Sequence, residues 1–540
     1  MSAVFPARSR EAAKLAIPLL LTALFALSNV DAAEADPAGG RVYAVGPRQE
    51  LPSLSAVPWN ELEPGDVVRI HWRPQPYREK IVIGRSGTAK RPIRIVGVRG
   101  PNGQRPIIDG RDAMTIAGQS EAYGSHEPMQ ATALLLIYHP DFRQKPAHIE
   151  IRGLHLRNAR RSFSFTDRRG RRTRYARGAA AIRIQAADDV RIIDNEIENC
   201  ANGIFSMCQE YNEAALTRDL LIEGNDIHRN GERGSYLEHG VYLQAIGVTC
   251  QFNRFGPNLP GAEGATLKDR SAGTVIRFNW FESGGTRILD LVEVEDCAPW
   301  FLESAYRDYL RRPSLEDGPG PDRLDEVRAI ESRYRKTYVY GNLIRHLGSR
   351  SPASNLVHYG YDNDPAYARQ GDLYFYHNTL LVLNDRNDSW RVRLFDIYPY
   401  DETAGRPARE RVHVLNNIIY VASETPGAEA SYFCWGSGSG EILLGTNAVG
   451  GEWRTEVARS ECYSGRLKPV VRGQRNILTL LRPPIDRNTL APHRKEVISG
   501  RATPLPRHLI RLHPPCYEYR RDLQRKERPH TRDLGALTFR

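Results

Sequence analysis

A short motif, an asparagine followed two positions later by an apolar residue, recurs along the chain. Each copy stands behind a short run of β-favouring residues, as in VRIIDNEI, LLIEGNDI and TVIRFNWF. The intervals between successive copies are 30, 28, 26, 63, 36, 39 and 30 residues. Repeats of this length, built from short strands, indicate a solenoid in which each repeat forms one coil. The eight asparagines are Asn195, Asn225, Asn253, Asn279, Asn342, Asn378, Asn417 and Asn447.

Further short runs with strand character lie between these asparagines. Each repeat therefore holds two or three strands of about five residues, which favours a coil of a parallel β-helix over a helical repeat. An asparagine at the bend can adopt a left-handed φ and bond to its counterparts in neighbouring coils as a ladder. The alternatives are a β-sandwich and a propeller, but propeller blades need regular repeats of about 40–45 residues with glycine and aromatic signatures that are absent here. The second runs cover residues 180–186, 239–245, 264–269, 288–294, 355–361 and 393–398.

The repeat covers only part of the chain. Residues 41–450 are predicted to form an all-β domain, a single-stranded parallel β-helix. From residue 451 to 540 the repeat is lost and proline and arginine become frequent, which predicts an irregular basic tail folded back along the helix.

An insertion in residues 298–336 explains the interval of 63 residues. It is predicted to be helical, because four apolar residues fall on one helical face and Asp322 can cap the helix. An insertion from one coil lies at the rim of a solenoid, either as a lid or wall beside a groove or as passive surface decoration. The four apolar residues are Leu324, Val327, Ile330 and Tyr334.

The first 32 residues have the pattern of a signal peptide. Arg8, Arg10 and Lys14 form a basic region, and the apolar run in residues 15–27 is too short to span a membrane. Small residues then occupy the positions that a signal peptidase reads, so we expect cleavage after Ala32. A membrane anchor is less favoured because no second apolar segment follows. The expected product is secreted or periplasmic and has no membrane segment.

The seven cysteines would meet an oxidising environment outside the cell, where disulfides form. Cys200 with Cys208 and Cys434 with Cys462 are close enough in sequence to pair. An odd number leaves at least one free thiol.

The net charge is +11, and residues 1–32 hold three basic and two acidic groups, so the remaining chain carries +10. A basic protein attracts polyanions. Outside the cell these are more often acidic polysaccharides than nucleic acids. We therefore expect an acidic polysaccharide as the partner, no nucleic acid, and a monomeric protein.

Three segments carry a resemblance to known proteins. The opening ELEPGDVVRIHW, YREKIVIGRSGTAKRPIRIVGV and PIIDG resembles the first coils of pectate-lyase-like right-handed parallel β-helix proteins. The middle part, from EHGVYLQAIGVTCQFNRFG to ESGGTRILDLVEVED, resembles secreted bacterial proteins of the polysaccharide-degrading type. The closing RDLGALTF resembles the end of many β-helix surface proteins. The resemblance implies a right-handed helix and action on carbohydrate, but it leaves the reaction open.

The central coils concentrate carboxylates, bases and aromatic residues on their second strands. Binding and cleaving a sugar chain requires all three, so we expect the functional site there. Tyr242 and Asp290 are candidates for contact with the sugar.

Elimination at a uronate removes the proton on C5, so the site must neutralise the adjacent carboxylate and supply a base. Lys268 and Arg270 are two residues apart on one strand and face the same side. The resemblance to uronate lyases implies Lys268 as the base and Arg270 or Arg287 as the neutralising cation. His239 is the competing base, because its intrinsic pKa is nearer neutrality.

The acidic run LDLVEVED has three open interpretations. Glu293, Glu295 and Asp296 are candidate Ca²⁺ ligands, since oxygen ligands at this density suit that ion. Two of the carboxylates can instead be the acid and base of a glycosidase. Simple pairing with the basic residues of the preceding coil is the third possibility.

His358, Tyr359 and Tyr361 suit a sugar-binding wall, because aromatic faces cover the C–H surfaces of sugars. Stacking between coils is the alternative. Taken together, the sequence predicts a polysaccharide lyase that acts on an acidic, uronate-containing polymer. The alternatives are a glycoside hydrolase, a uronate epimerase, and a glycan-binding surface protein without catalysis.

Overall fold

Runs of alternating apolar residues form short strands, and polar or glycine bends between them turn the chain from one sheet to the next. A computed structural model describes residues 39–117, 123, 127–209, 212–283, 287–311, 323–347, 353–384, 391–397, 408–423, 431–451, 453–454, 469–480, 482–520, 526–528 and 532–539. The predicted signal peptide and Cys462 lie outside these residues. Successive strands visit three sheets in turn, so each circuit of the chain makes one coil.

The first sheet has thirteen parallel strands. Its members, in spatial order, are β1 (Val42–Val45), β2 (Val67–His71), β4 (Ile93–Val98), β8 (Ala147–Arg152), β13 (Asp188–Ile193), β16 (Arg218–Glu223), β19 (Ile246–Gln251), β22 (Ala272–Arg277), β25 (Lys336–Tyr340), β28 (Asp372–Tyr376), β31 (Arg411–Leu415), β34 (Glu441–Leu444) and β37 (Val470–Arg472).

The second sheet has eleven parallel strands. These are β5 (Ile107–Asp109), β9 (His155–Arg157), β14 (Glu196–Glu198), β17 (Asp226–His228), β20 (Arg254–Phe255), β23 (Trp280–Ser283), β26 (Leu343–Leu347), β29 (Thr379–Asn384), β32 (Ile418–Ser423), β35 (Asn447–Gly451) and β38 (Ile477–Leu480). The coils therefore continue past the predicted boundary at residue 450, because β37 and β38 still pair with the preceding coil.

The third sheet has fourteen strands, and it carries the candidate site. Its order is β11 (Arg172–Arg174), β10 (Ser164–Thr166), β6 (Ala113–Thr115), β3 (Glu79–Ile83), β7 (Ala133–Ile137), β12 (Ala180–Ile184), β15 (Asn202–Ser206), β18 (Val241–Leu243), β21 (Leu267–Asp269), β24 (Leu289–Leu291), β27 (Ala353–Tyr359), β30 (Arg391–Ile397), β33 (Ser431–Gly438) and β36 (Trp453–Arg454). Among the described strands, antiparallel pairing is confined to β10 with β11 and to β39 (Tyr517–Glu518) with β40 (Lys526–Glu527).

The core is a stack of inward-facing side chains that continues from coil to coil. One such row crosses seven strands of the third sheet in register, and every member is at most 1% exposed. Full burial of a branched aliphatic side chain contributes roughly 1.5–3 kcal/mol, so the rows account for much of the stability. The predicted parallel β-helix is confirmed. The row consists of Ile182, Ile204, Val241, Leu267, Leu289, Val357 and Phe395.

The eight repeated asparagines form one buried ladder. In the seven that follow Asn195, the side-chain oxygen accepts the backbone N–H and the side-chain N–H of the asparagine one coil earlier, at 2.8–3.1 Å, whereas Asn195 Oδ1 accepts the N–H of Leu154 at 3.0 Å. The left-handed φ belongs to the residue before the asparagine, for example 54° at Asp194 and 56° at Phe252, and not to the asparagine itself. The asparagine side chain is thereby free to point along the ladder.

The insertion contains helices α1 (Glu303–Leu310) and α2 (Leu324–Tyr334). Val327, Ile330 and Tyr334 are buried, whereas Leu324 is half-buried. They pack with the first residues of β19 and β22, so the insertion covers the corner between the third and first sheets. The predicted capping residue, Asp322, lies outside the described residues.

The C-terminal region holds the short helices α3 (Lys495–Ile498) and α4 (Arg507–Leu512) and packs against the outside of the solenoid. Its apolar residues cover outward-facing side chains of the second sheet, such as Leu381, Ile418 and Tyr420. Near its end, the N–H of Gly535 donates to the carbonyl of Asn416 at 2.8 Å, and the N–H of Ala536 donates to Thr379 Oγ1 at 2.9 Å.

Cys200 and Cys208 are free, buried thiols, so the first of the two proposed cysteine pairs does not form. Cys434 takes part in a disulfide. No described helix is long and apolar enough to cross a membrane.

Candidate active site on the third sheet

A single outward-facing row runs across eight consecutive strands of the third sheet, from β12 to β33. Register pairs each member directly with the next, so neighbouring residues lie one strand spacing, about 4.8 Å, apart. Four predicted site residues, Tyr242, Lys268, Asp290 and His358, occupy adjacent places in this row although 116 positions separate the first from the last. The full row is Arg183, Phe205, Tyr242, Lys268, Asp290, His358, Asp396 and Ser437.

Lys268 lies at the centre of the row. Its ammonium is 3.1 Å from the Oδ2 of Asp290 and also contacts the carboxylate of Asp362. The side chain is 9% exposed, so a small part of it is in contact with solvent. Two carboxylates hold the ammonium in place.

Asp290 connects Lys268 to the next strands. Its Oδ1 lies 2.6 Å from Nδ1 of His358 and 3.4 Å from the guanidinium of Arg287. Burial alone would raise the pKa of Asp290, but Lys268, His358 and Arg287 hold it well below its usual range. Asp290 is therefore an ionised anchor for three basic side chains.

Arg287 extends along the row beside Asp290, and its second nitrogen lies 3.9 Å from Asp396. Its side chain is 32% exposed, the largest exposure among the basic residues of the site. Asp396 is fixed from both sides, because Ser437 donates to it at 2.7 Å and Asn355 at 2.9 Å. Arg287 is therefore the cation that a solute reaches first.

Arg270 is buried, in contrast to its predicted role as a neutralising cation. Its guanidinium donates to Tyr242 Oη at 2.8 Å and to Asp362 Oδ1 at 2.8 Å, and it forms ion pairs with Glu293 and Glu295. With 2% of its side chain exposed, it cannot contact a substrate carboxylate. Arg270 instead positions Tyr242 and Asp362.

The predicted Ca²⁺ ligands Glu293, Glu295 and Asp296 do not converge on one point. Among the described residues, no group of three or more His, Cys, Asp or Glu could hold a metal ion. Glu293 already accepts the N–H groups of residues 362–364 at 2.7–2.9 Å. Glu295 accepts the hydroxyl of Tyr242 at 2.9 Å. The carboxylates of Glu293 and Glu295 are therefore already bound by protein donors.

His239 is ill-suited to be the base that the sequence offered as an alternative. It is buried, and its Nδ1 accepts the N–H of Ala265 at 3.0 Å. Burial, with Lys268 nearby, lowers the pKa of His239 to about 3. A histidine with this pKa stays neutral and is a weak base.

The predicted aromatic wall does not form, because adjacent residues of a strand face opposite sides. His358 is in the outward row, but Tyr359 pairs with Leu291 and Ile397 in the inward row and is fully buried. Tyr359 therefore cannot contact a sugar. Tyr361, in the loop after β27, is half-buried.

Two important residues had no role assigned from the sequence. Asp362 bridges Lys268 and Arg270 from the loop that follows β27. Arg369, from the same loop, is fully buried and donates to the carboxylate of Asp269 and to the carbonyl of Val292, each at 2.9 Å. The sequence alone does not predict either contact, because about a hundred residues separate the partners and only the folded loop brings them together.

These residues form what we call the site cluster, with three cations and five carboxylates. It brings a lysine, an arginine, a tyrosine hydroxyl and carboxylates together on neighbouring strands, and such groups can transfer protons and bind an anion. The members are Tyr242, Lys268, Arg270, Arg287, Asp290, Glu293, Glu295, His358, Asp362 and Asp396.

No family model matches the chain, and no curated protein matches its sequence. Solved structures that resemble it include pectate lyase Pel9A (10% identity, 73% of this chain, 80% of that chain, TM-score 0.36). A second is the GH136 lacto-N-biosidase from Eubacterium ramulus (13% identity, 82% of this chain, 68% of that chain, TM-score 0.31). A third is the PL6 family alginate lyase AlyGC (9% identity, 78% of this chain, 73% of that chain, TM-score 0.27). Similarities at this level concern the fold alone. The parallel strand pairing of the three sheets establishes the parallel β-helix fold that the resemblance to pectate-lyase-like proteins implied.

Proposed function

We propose that the protein cleaves an acidic, uronate-containing polysaccharide by β-elimination, with Lys268 as the base. The observation that carries the proposal is the position of Lys268 in the outward row. It lies between a proton-donating tyrosine on one neighbouring strand and an exposed arginine beside the other.

The reaction needs three functions. A base removes the proton on C5, a double bond forms between C4 and C5, and the glycosidic oxygen on C4 leaves with a proton. A cation must first neutralise the uronate carboxylate, because the C5 proton is otherwise too weakly acidic. Arg287 supplies that cation at the surface of the row.

Lys268 must lose its own proton before it can act, and Asp290 and Asp362 stabilise the ammonium form. Asp362 is the more accessible of the two, at 19% exposed against 3% for Asp290. A sugar that displaces Asp362 removes one counter-charge from Lys268 and favours the neutral amine.

Tyr242 is the candidate proton donor to the leaving oxygen. Its ring centroid lies 5.8 Å from Lys268 Nζ, and its hydroxyl is held by Arg270 and Glu295. Base and acid then lie on adjacent strands, so both can reach one sugar unit.

In the test, the protein is incubated with pectate, alginate and glycosaminoglycans, and the ultraviolet absorbance of the unsaturated uronate product is measured. The Lys268→Ala variant should lose about 100-fold or more of the rate, because general-base catalysis contributes at least that much. The control is Lys336→Ala, which removes an exposed lysine of the first sheet and should leave the rate unchanged. No absorbance on any of these polymers would count decisively against elimination.

A glycoside hydrolase is the second candidate. The site cluster holds five carboxylates and only three cations, and glycosidases use a pair of carboxylates as acid and base. New reducing ends without ultraviolet absorbance would identify it. Asp362→Asn would then abolish the cleavage, whereas the elimination mechanism tolerates this change better than Lys268→Ala.

A further inference from the structure

We propose that the arginine segment, defined as residues 157–177, is a separate binding site for acidic polysaccharide chains. It lies outside the site cluster and has no role in the chemistry above. It deepens the proposed function in one respect, since it would hold the same class of polymer, but binding there does not require that the polymer be cleaved.

The arginine segment is densely basic. It contains nine arginines and one aspartate, a net charge of +8. Positive charge at this density attracts a polyanion. Six of these arginines are exposed: Arg161, Arg169, Arg171, Arg172, Arg174 and Arg177.

The backbone of the arginine segment is held in a fixed shape. Its turn closes on Asp167, whose Oδ1 accepts the N–H groups of Arg169 and Arg171 at 2.9 Å. The hairpin of β10 and β11 is anchored below by Tyr175, which donates to the carbonyl of Gly110 at 2.9 Å and packs on Phe165. A rigid hairpin loses little conformational entropy when a ligand binds.

Acidic partners occupy only part of this charge. Arg172 pairs with the exposed Asp112, whereas Arg177 pairs with the buried Glu238 and Arg171 with the buried Asp167. Within the part of the chain that the structure describes, the guanidinium groups of Arg161 and Arg174 make no ion pair. Exposed pairs exchange readily with an external anion, because each contributes about 1 kcal/mol or less.

The arginine segment approaches the site cluster at its C-terminal end. Arg177 lies three residues before β12, and its partner Glu238 lies four residues before Tyr242. β12 is three strand spacings from β21, about 14 Å at 4.8 Å each. A polymer of several sugar units that contacts Arg177 can thus extend to Lys268.

The surroundings favour a polysaccharide over a nucleic acid. Proteins that bind single-stranded nucleic acid combine a basic groove with exposed aromatic rings for base stacking. All three aromatic residues of this segment are covered: Phe165 and Tyr175 are buried, and Phe163 is half-buried with Arg111 over its ring at 4.9 Å. Planar guanidinium groups suit carboxylate or sulfate oxygens in a bidentate arrangement.

The experiment measures binding in the Lys268→Ala background, so that a polymer is bound and not consumed. The probes are polygalacturonate, alginate, dextran sulfate, neutral dextran and duplex DNA, each at low and physiological salt. The test variant is Arg161→Gln/Arg172→Gln/Arg174→Gln. The matched control removes the same charge from the C-terminal region, as Arg487→Gln/Arg507→Gln/Arg511→Gln, all exposed.

We expect at least one acidic polysaccharide to bind more tightly than dextran and DNA, and the test variant to bind it about tenfold or more weakly than the control. Carboxylated and sulfated probes distinguish which anion is preferred. Equal loss in both triple variants, no binding above dextran, or tightest binding to DNA would each overturn the proposal. Binding that depends on the segment, together with an absence of product, would retain this site and reject the elimination mechanism.

Discussion

The site cluster and the arginine segment both depend on arginine, but they use it in opposite ways. Arg270 is buried among carboxylates and positions its neighbours, whereas Arg172 and Arg174 extend into solvent. In the cluster the carboxylates outnumber the cations, although the protein as a whole is basic. Attraction of a polyanion requires exposed surface charge, whereas chemistry of the proposed kind requires fixed, partly buried groups.

The largest expected effect is on stability, where a buried and an exposed arginine should differ. Arg270→Ala leaves Glu293 without its buried counter-charge and removes one of the two cations that contact Asp362, and it should destabilise the protein by about 3–5 kcal/mol. Arg172→Ala, on the hairpin, should change stability by less than about 0.5 kcal/mol. Urea unfolding of both variants provides the measurement. Similar losses in the two would show that the contrast between buried and exposed arginine is wrong.

The next effect concerns pH. The pKa of His239 is about 3 in the folded protein, against 6.5 as its ordinary value. The unfolded chain therefore binds more protons between these limits, and stability is lost as pH falls from 6.5 towards 3, by roughly 1.4 kcal/mol per pH unit. His239→Asn should reduce the slope of unfolding free energy against pH by that amount. The Arg161→Gln/Arg172→Gln/Arg174→Gln variant should keep the full slope, since arginine does not titrate there; an unchanged slope in His239→Asn would refute the assignment.

The smallest effect probes a single hydroxyl. Tyr242→Phe removes the group that joins Arg270 to Glu295, and we expect a loss of about 1–2 kcal/mol in the unfolding free energy. Tyr236→Phe is the matched control, because Tyr236 is 69% exposed and should tolerate the change. If both variants retain full stability, the cluster around Arg270 is less rigid than its contacts imply.

The repeat in the sequence was sufficient to predict the coils and to place Tyr242, Lys268 and Asp290 on one face. The asparagine spacing sets the coil length, and alternation then fixes which side chains point outward. The same alternation contradicts the grouping of Tyr359 with His358, since neighbours on a strand cannot share a face.

What sequence could not provide was the course of the loop after β27. This loop brings Asp362 and three backbone N–H groups to Arg270 and Glu293, which buries the arginine and satisfies the carboxylate. Both the expected neutralising role of Arg270 and the expected Ca²⁺ site were inferred without these donors. Contacts over such separations depend on the folded loop, and no local pattern encodes them.

The contact of Gly535 and Ala536 with Asn416 and Thr379 has a consequence for how the chain matures. Gly535 and Ala536 hydrogen-bond to coils whose residues lie well over a hundred positions earlier in the chain. Coils can stack as they emerge during synthesis, but the apolar flank of the second sheet is covered only once the C-terminal region has been made. A chain truncated before this region would therefore expose apolar side chains, and we expect it to aggregate more readily than the intact chain.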